Sequence, residues 1–358
     1  KGARNVERQL SAPRSLGGCT PPRSFQLLWI FRRCCSQVHR HAHNSLLLLF
    51  LMHQEEDEYG DETFEEEDEV PPAVSWKTIK FDEIFLGERL GGGSVGLVHR
   101  GQYKGENVAV KTLFDRRIDE ALKREFQEEL LVLSQLSHPN IVHFYGASMI
   151  PPNLFFVMEL CQRSLFDLLH HCRRAIGVRR RVGMALDVSR AMEYLHSRSP
   201  PIIHRDLKSL NLLLAGTEGP VKLCDFGLVR TTVTAAGTVA YMSPQLLLGQ
   251  PFNKSVDVYA FGVLLWEIFS REIPFNGFEV ADIREAVVSG GRPTVPRGDC
   301  PREISSLMCR CWSENPQQRP AFGEIEEILR ELQHSTAAAT ELQGTETTGD
   351  CLDDLLRK

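Results

Sequence analysis

The chain has no long hydrophobic run, and this limits the classes of protein to which it can belong. Its strongest apolar run, Leu46–Met52, has seven residues, whereas a membrane-spanning helix needs about 20. The run also lies too far from the first residue for an ordinary signal peptide. We therefore expect a cytoplasmic protein without a membrane span.

Cysteine is present, but cysteines in the usual metal-ligand spacings are lacking. The ten cysteines are scattered along the chain. Cys34 and Cys35 are adjacent, and Cys309 and Cys311 are closer together than the cysteine pairs of ordinary zinc sites. This pattern predicts reduced, mostly buried thiols in an intracellular protein.

The chain also lacks a large net charge, which is −6, but its charges are unevenly distributed. Residues 1–53 carry eight basic side chains against one acidic side chain, and residues 55–69 carry eleven acidic side chains and no basic one. From residue 70 onward the numbers are nearly equal, 33 basic and 35 acidic. Nothing in this balance indicates a nucleic-acid partner.

The charged segments and the end of the chain differ in composition from the part between them. Residues 1–53 lack helical and strand periodicity, which predicts disorder, a fragment of a longer protein or translated non-coding sequence. Residues 54–75 are predicted to be an acidic linker, because like charges at this density resist packing; an acidic docking tail is the alternative. Residues 335–358 are small and polar and are predicted to be a flexible tail.

Between these segments the hydrophobic periodicity changes once. Up to about residue 160, short apolar runs bounded by turn residues predict strands at 85–90, 97–100, 106–113, 141–147 and 154–160. Apolar residues at steps of three and four predict a helix over 118–133. After Cys161 the period is helical. The predicted helices cover residues 164–171, 179–196, 256–269, 283–289, 302–311 and 322–333.

Four short motifs occur in one order along this region. They are GGGSVGLV at residues 91–98, VAVK at 108–111, HRDLKSLN at 204–211 and DFG at 225–227. Each alone is weak evidence, because a glycine-rich run can be a plain turn and DFG can be a β-turn. Together, and in this order, they are the elements that hold ATP and transfer its terminal phosphoryl group in protein kinases.

Residues 76–334 therefore resemble a eukaryotic protein kinase, and their local sequence is most similar to the tyrosine-kinase-like group, which includes the mixed-lineage and Raf-type kinases. The resemblance implies an α+β bilobal protein-kinase fold. A small β-rich N-lobe with one key helix (76–159) would lead through a hinge (159–163) to a larger α-helical C-lobe (164–334). It also implies an ATP-dependent protein Ser/Thr kinase with a signalling role; a pseudokinase scaffold module and a dual-specificity kinase are the alternatives.

The resemblance also implies which residues act at the reaction centre. Asp206 would accept or orient the substrate hydroxyl proton, and Lys208 would lie beside the γ-phosphate. Asn211 and Asp225 would bind Mg²⁺, with Mn²⁺ as an alternative, because one carboxylate and one amide oxygen suit a cation that also binds phosphate and water. Thr238 would contact the catalytic Asp and Lys.

Lys111 would reach the α- and β-phosphates of ATP from its apolar strand. By resemblance its counter-ion is Glu129, with Glu125 and Glu128 as rivals. Glu129 is preferred because it lies nine residues before His138 and beside the apolar face of the predicted helix.

Residues of both predicted lobes would contact the nucleotide. The implied set is Leu90, Gly91, Gly93, Gly96, Val98, Ala109, Lys111, Met158, Glu159, Cys161 and Leu213. The glycines would let the backbone approach the phosphates, because side chains there would block them. Leu133, Phe144, His204 and Phe226 would stack into a spine that joins the lobes, with Asp257 at its base.

The predicted partners are ATP and proteins that offer serine or threonine hydroxyls. Thr231, Thr232 and Thr234 are candidate phosphorylation sites, either for an upstream kinase or for autophosphorylation, and the chain is a candidate homodimer. One position departs from the family pattern: Gln245 stands where a glutamate usually pairs with a buried arginine, which here would be Arg319. A glutamine can still hydrogen-bond that arginine, but it brings no charge.

Overall fold

The computed structural model describes residues 76–93, 96–113, 120–150, 152–226 and 236–336. The predictions for residues 1–75, for Thr231, Thr232 and Thr234, and for residues 337–358 lie outside these ranges. Within them, no helix is both long enough and apolar enough to cross a membrane.

Five antiparallel strands form the first half of the described chain. They are β1 (Ile84–Gly93), β2 (Gly96–Tyr103), β3 (Glu106–Leu113), β4 (Phe144–Ile150) and β5 (Asn153–Glu159). Their order across the sheet is β1-β2-β3-β5-β4, so β3 is the central strand. Its residues from Val108 to Leu113 are all buried, which is why its apolar run is nearly unbroken.

One helix, α1 (Glu120–Ser134), packs against this sheet. Phe126, Leu130 and Leu133 are buried, at the three- and four-residue steps that place them on one face. The rings of Phe126 and Phe156 lie 5.2 Å apart, which fixes the helix against β5.

The second half is helical. Its helices are α2 (Leu165–His170), α3 (Val178–His196), α4 (Ala236–Val239), α5 (Pro244–Leu248), α6 (Ser255–Ser270), α7 (Val280–Val288), α8 (Arg302–Cys311) and α9 (322–336). All residues of α6 from Val256 to Phe269 are buried. A helix that is apolar on every side belongs in a core, and α6 is the helix around which this half is built.

A second, three-stranded sheet lies beside the helices. Its strands are β6 (Arg163–Ser164), β7 (Leu212–Leu214) and β8 (Val221–Leu223), in that order. β7 and β8 pair in antiparallel register, Leu212 opposite Leu223. The residues just before β7 and just after β8 therefore come together, and those residues include Asn211 and Asp225.

The structure confirms the predicted α+β architecture, with corrections at particular elements. Strand β4 begins at Phe144 and not at residue 141, because residues 140–142 first bond to β8: Leu223 N–H donates to Asn140 O at 2.8 Å and Val142 N–H to Leu223 O at 3.0 Å. Helix α9 continues to residue 336, two residues into the predicted tail. The short strands β6 and β7 and the helices α4 and α5 were not predicted.

The described cysteines are free, as predicted, but they are less buried than predicted. Cys311 is buried, Cys309 is exposed, and Cys161, Cys172, Cys224 and Cys300 are half-buried. The prediction that these thiols are mostly buried is therefore wrong for the described cysteines, since Cys161, Cys224 and Cys300 pack against the core but stay partly exposed.

The positions of the two cores predict where an independently folding fragment can begin and end. Among the described residues, every member of the two cores lies between Ile79 and Leu329. A fragment of residues 73–335 is therefore expected to melt in one cooperative transition and to bind ATP with the affinity of the full chain, as measured by calorimetry. Loss of nucleotide binding in the fragment alone would contradict the predictions of disorder before residue 54 and of a linker over residues 54–75.

Candidate functional site

Three of the predicted catalytic residues, Asp206, Lys208 and Asn211, lie in the loop that precedes β7. Asp206 is buried, and Lys208 Nζ lies 3.0 and 2.9 Å from its two carboxylate oxygens. Lys208 also donates to Thr238 Oγ1 at 2.9 Å, which confirms the predicted contact between Thr238 and the lysine. The carboxylate is thus held in one orientation by a cation two residues away.

Asn211 is fixed to the same carboxylate. Its Nδ2 donates to the Asp206 carbonyl oxygen at 2.8 Å and to Asp206 Oδ2 at 2.9 Å. Because both amide hydrogens are used in this way, the amide oxygen is the atom of Asn211 that remains for a cation.

The β7–β8 hairpin brings Asp225 next to Asn211. Cys224 N–H donates to Asn211 O at 2.9 Å, so the following residue, Asp225, lies beside it. Asp225 has a φ of +62°, an uncommon conformation for a residue with a side chain and one that occurs at functional sites. Its side chain is 30% exposed and lies 3.8 Å from Lys111 Nζ.

Lys111 and Glu129 form a buried ion pair between β3 and α1. Lys111 Nζ lies 2.6 Å from both carboxylate oxygens of Glu129. Burial alone would lower the pKa of Lys111, but the charges of Glu129 and Asp225 outweigh it and raise the pKa above its usual value. Lys111 is therefore a permanent cation, which is the state that phosphate binding requires.

Two glycines of the first motif differ in what a side chain would meet. Gly96 has a φ of +151°, and a Cβ there would lie 2.4 Å from the carbonyl oxygen of Thr112, so only glycine fits. A Cβ at Gly91 would meet no described atom within 4 Å. The surface above β1 at Gly91 is therefore open, as a nucleotide cradle must be.

The strands arrange the predicted nucleotide contacts around β3. Val98 lies opposite Lys111 across β2 and β3, and Ala109 lies opposite Met158 across β3 and β5. Leu90 is 44% exposed at the rim. Gly93 pairs with Gly96 where β1 and β2 meet.

The predicted hinge offers backbone groups and neutral thiols. Glu159 N–H donates to His143 O at 2.8 Å, which fixes the backbone at the start of the hinge. Burial raises the pKa of Cys161 to about 12, and it raises that of Cys224 well above its usual value. Leu213 is half-buried in β7, on the other side of the hinge from β5.

Asp257 of α6, the residue predicted at the base of the spine, bonds to the backbone of the loop that contains Asp206. Its carboxylate accepts hydrogen bonds from the backbone N–H of His204 at 2.9 Å and of Arg205 at 2.8 Å. The rings of His204 and Phe226 lie 5.5 Å apart, edge to face. These contacts hold the loop that contains Asp206 against α6 and Phe226.

The residues present fit ATP and a divalent cation. A cation site made only of protein groups would need more ligands than occur here, and no cluster of three or more His, Cys, Asp or Glu side chains suited to a metal was found among the described residues. One carboxylate and one amide oxygen beside a permanent cation suit an ion whose remaining ligands are phosphate and water.

Sequence reasoning missed a buried polar group behind this site. Glu267 is fully buried within α6 and contacts Ser209, Tyr241 and His170. The signal was present in the sequence, because an acidic residue inside an otherwise apolar, buried helix requires hydrogen-bond partners.

Arg319 is a buried guanidinium whose partners in the described ranges include no carboxylate. It donates to the carbonyl oxygens of Ser313 and Ser255 at 2.9 and 3.1 Å and to Gln245 Oε1 at 3.0 Å. The predicted pairing of Gln245 with Arg319 is thus confirmed. Burial lowers the pKa of Arg319 to about 10, which is the cost expected of a buried cation without an anion.

Gln245→Glu is expected to stabilise the protein by supplying that anion. A charge-assisted bond is stronger than a neutral one, and a gain of about 1 kcal/mol would raise the melting temperature by roughly 2–4 °C in a domain of this size. Calorimetry of Gln245→Glu and of the control Gln245→Met, which removes the amide without adding charge, measures the effect. An unchanged melting temperature in Gln245→Glu would mean that repulsion from the nearby Glu314 carbonyl cancels the gain.

Comparison with known proteins identifies the family that shares these features. The family model for protein tyrosine and serine/threonine kinases matches residues 84–329. The chain is 41% identical over 265 residues to the serine/threonine-protein kinase CTR1 of Arabidopsis thaliana, covering 71% of this chain and 32% of the relative.

Two further relatives extend the comparison. The probable serine/threonine-protein kinase SIS8 of Arabidopsis thaliana is 41% identical over 269 residues, covering 73% of this chain and 26% of the relative. The dual specificity protein kinase shkC of Dictyostelium discoideum is 36% identical over 296 residues, covering 79% of this chain and 56% of the relative. The chain therefore spans about a third or less of the length of the two plant relatives.

Proposed function

Because the chain belongs to the family of protein tyrosine and serine/threonine kinases, we propose that it transfers the terminal phosphoryl group of ATP to serine and threonine hydroxyls of proteins. The observation that carries the proposal is the arrangement of Lys208, whose ammonium contacts both the Asp206 carboxylate and Thr238. A lysine at this place, bonded to a threonine, favours Ser/Thr transfer over tyrosine transfer.

The residues of the chain would have different roles in the transfer reaction. Lys111, held by Glu129, binds the non-transferred phosphates, and the open surface at Gly91 accepts them. Asp206 accepts the proton of the acceptor hydroxyl, and Lys208 neutralises charge on the transferred group. Because little covalent chemistry falls to the protein, positioning and charge neutralisation account for most of the rate.

We propose that the divalent cation is Mg²⁺, held by Asn211 and Asp225. When bound, it would neutralise phosphate charge and orient the phosphates for in-line transfer. The amide oxygen of Asn211 and the carboxylate of Asp225 are the hard oxygen ligands that Mg²⁺ prefers. Mn²⁺ would bind the same ligands, so the rate of phosphoryl transfer should be measured with each ion separately.

Several properties of the whole protein remain proposals of the same kind. They are a signalling role, a cytoplasmic location, regulation through Thr231, Thr232 or Thr234, and homodimer formation. Site mapping after autophosphorylation would test the three threonines, and light scattering would test the dimer.

The direct test of the proposed function is transfer of labelled γ-phosphate from ATP to a generic protein acceptor, followed by phosphoamino-acid analysis. Phosphoserine and phosphothreonine are expected, and their formation should require a divalent cation. Phosphotyrosine in addition would favour dual specificity, the activity named for shkC. ATP binding without any transfer would favour a pseudokinase scaffold.

A further inference from the structure

Helix α6 carries a buried carboxylate that the proposed mechanism does not use. Glu267 is 0% exposed. Its Oε1 accepts a hydrogen bond from Ser209 Oγ at 2.6 Å, and its Oε2 accepts one from the Tyr241 hydroxyl at 2.6 Å. Nε2 of His170, at the end of α2, lies 2.8 Å from Oε1. Burial of an ionised group is costly, and short bonds to three partners offset that cost.

These contacts close a ring behind the reaction centre. Lys208 donates to Thr238 Oγ1 at 2.9 Å, and the backbone N–H of Tyr241 donates to Thr238 O at 3.1 Å. Tyr241 then contacts Glu267, Glu267 contacts Ser209, and Ser209 follows Lys208 in the chain. The ring therefore joins the catalytic loop to residues 238–241 at two points, one at Thr238 and one at Glu267.

We propose that Glu267 is a positioning residue for phosphoryl transfer, which holds Ser209 and Tyr241 so that Lys208 and Thr238 keep their places beside Asp206. The proposal rests on the proposed kinase function. Glu267 does not touch the reacting groups and acts through its two hydroxyl partners. Catalysis that depends on positioning is sensitive to such contacts, since a shift of about 1 Å can cost roughly 100-fold in rate.

The protonation state of Tyr241 agrees with this role. Burial and the charge of Glu267 raise the pKa of Tyr241 well above its usual value. The phenol therefore keeps its proton and remains a donor to Glu267. His170 adds a contact from α2, so the ring connects four separate elements of the helical half.

Helix α6 also provides a matched control. Tyr259 is fully buried, but its hydroxyl has no hydrogen-bond partner in the part of the chain that the structure describes. Tyr259→Phe, like Tyr241→Phe, removes one phenolic hydroxyl from the helical half of the chain. Unlike Tyr241→Phe, it leaves the ring of contacts intact.

The test compares Tyr241→Phe, Ser209→Ala, their double variant and Tyr259→Phe in the full chain. Each single change in the ring is expected to lower kcat by roughly 10- to 100-fold and to leave the KM for ATP within about twofold, because no ring member lies on the nucleotide-binding strands. The double variant should lose less than the product of the single losses, since both hydroxyls act through one carboxylate. Tyr259→Phe should keep the wild-type kcat.

Wild-type kcat in Tyr241→Phe, or an equal loss in Tyr259→Phe, would overturn the proposal. Amide hydrogen exchange separates this result from failure of the proposed function, because it needs no activity. Faster exchange at Tyr241 and Met242, whose amides are bonded to Thr238 and Val239, is expected in Tyr241→Phe and not in Tyr259→Phe. If the wild-type chain transfers no phosphate, the kinase function is rejected and the role in transfer falls with it. The exchange difference then shows separately whether the ring holds residues 238–242 in place, and equal exchange in the two variants overturns that part as well.

Discussion

Asp206→Asn is expected to lower the rate of phosphoryl transfer at least roughly 100-fold, within the range found when a positioned proton acceptor is lost. Asp206 contacts Lys208 and Asn211, which lie with it in the loop that precedes β7. The affinity for ATP should therefore stay close to that of the wild type. Steady-state kinetics together with equilibrium nucleotide binding separates the two effects.

The conservative change keeps the shape of Asp206, so folding should be unaffected. Asp282→Asn, on the exposed face of α7, is the matched control and should change neither rate nor binding. If Asp206→Asn lost binding and turnover to the same extent, the assignment of Asp206 to the acceptor side of the site would be wrong.

Asp225→Ala is expected to remove the dependence of ATP binding on Mg²⁺ and to lower the transfer rate at least roughly 100-fold. In the proposed cation site the carboxylate of Asp225 would be the charged oxygen ligand beside Asn211, and an amide oxygen alone would hold Mg²⁺ weakly. Titration of ATP affinity against Mg²⁺ concentration measures the first effect, and labelled-phosphate transfer measures the second.

Asp225→Asn provides a graded comparison, because it keeps one ligand oxygen and loses only the charge. It should fall between the wild type and Asp225→Ala in its response to Mg²⁺. A variant without the carboxylate that still bound ATP more tightly in Mg²⁺ would place the cation elsewhere.

The sequence was sufficient to predict the elements whose burial is continuous or strongly periodic. The central strand β3 and helix α8 were predicted at their observed ends, and α6 was predicted within one residue. Their apolar patterns fit only one assignment of secondary structure, because a central strand and a core helix are buried along their whole length.

The short elements near the active site could not be predicted in this way. Strand β7 has only three residues, and its pairing with β8 depends on contacts between distant parts of the chain. The start of β4 was misplaced for the same reason, since Ile141 is apolar whether it pairs with β5 or contacts β8. The hydrophobic pattern of the sequence does not indicate which strand a short apolar segment will pair with.

In the candidate site, too, some residues could be predicted from the sequence and others could not. The resemblance identified Lys111, Asp206, Asn211 and Asp225 as neighbours, and the structure brings them together. For Glu267, by contrast, the sequence shows an acidic residue inside an apolar helix but not its partners, because the residues that bond to it lie 26, 58 and 97 positions away. Its partners became apparent only in three dimensions.

The dependence of the catalytic loop on α6 has a consequence for synthesis of the protein on the ribosome. The backbone amides of His204 and Arg205 are satisfied by Asp257, which is translated about 50 residues later. Until α6 has left the exit tunnel, the nascent chain lacks the carboxylate that holds this loop. The geometry needed for transfer can therefore arise only after α6 has been made, however early the residues around Lys111 are translated.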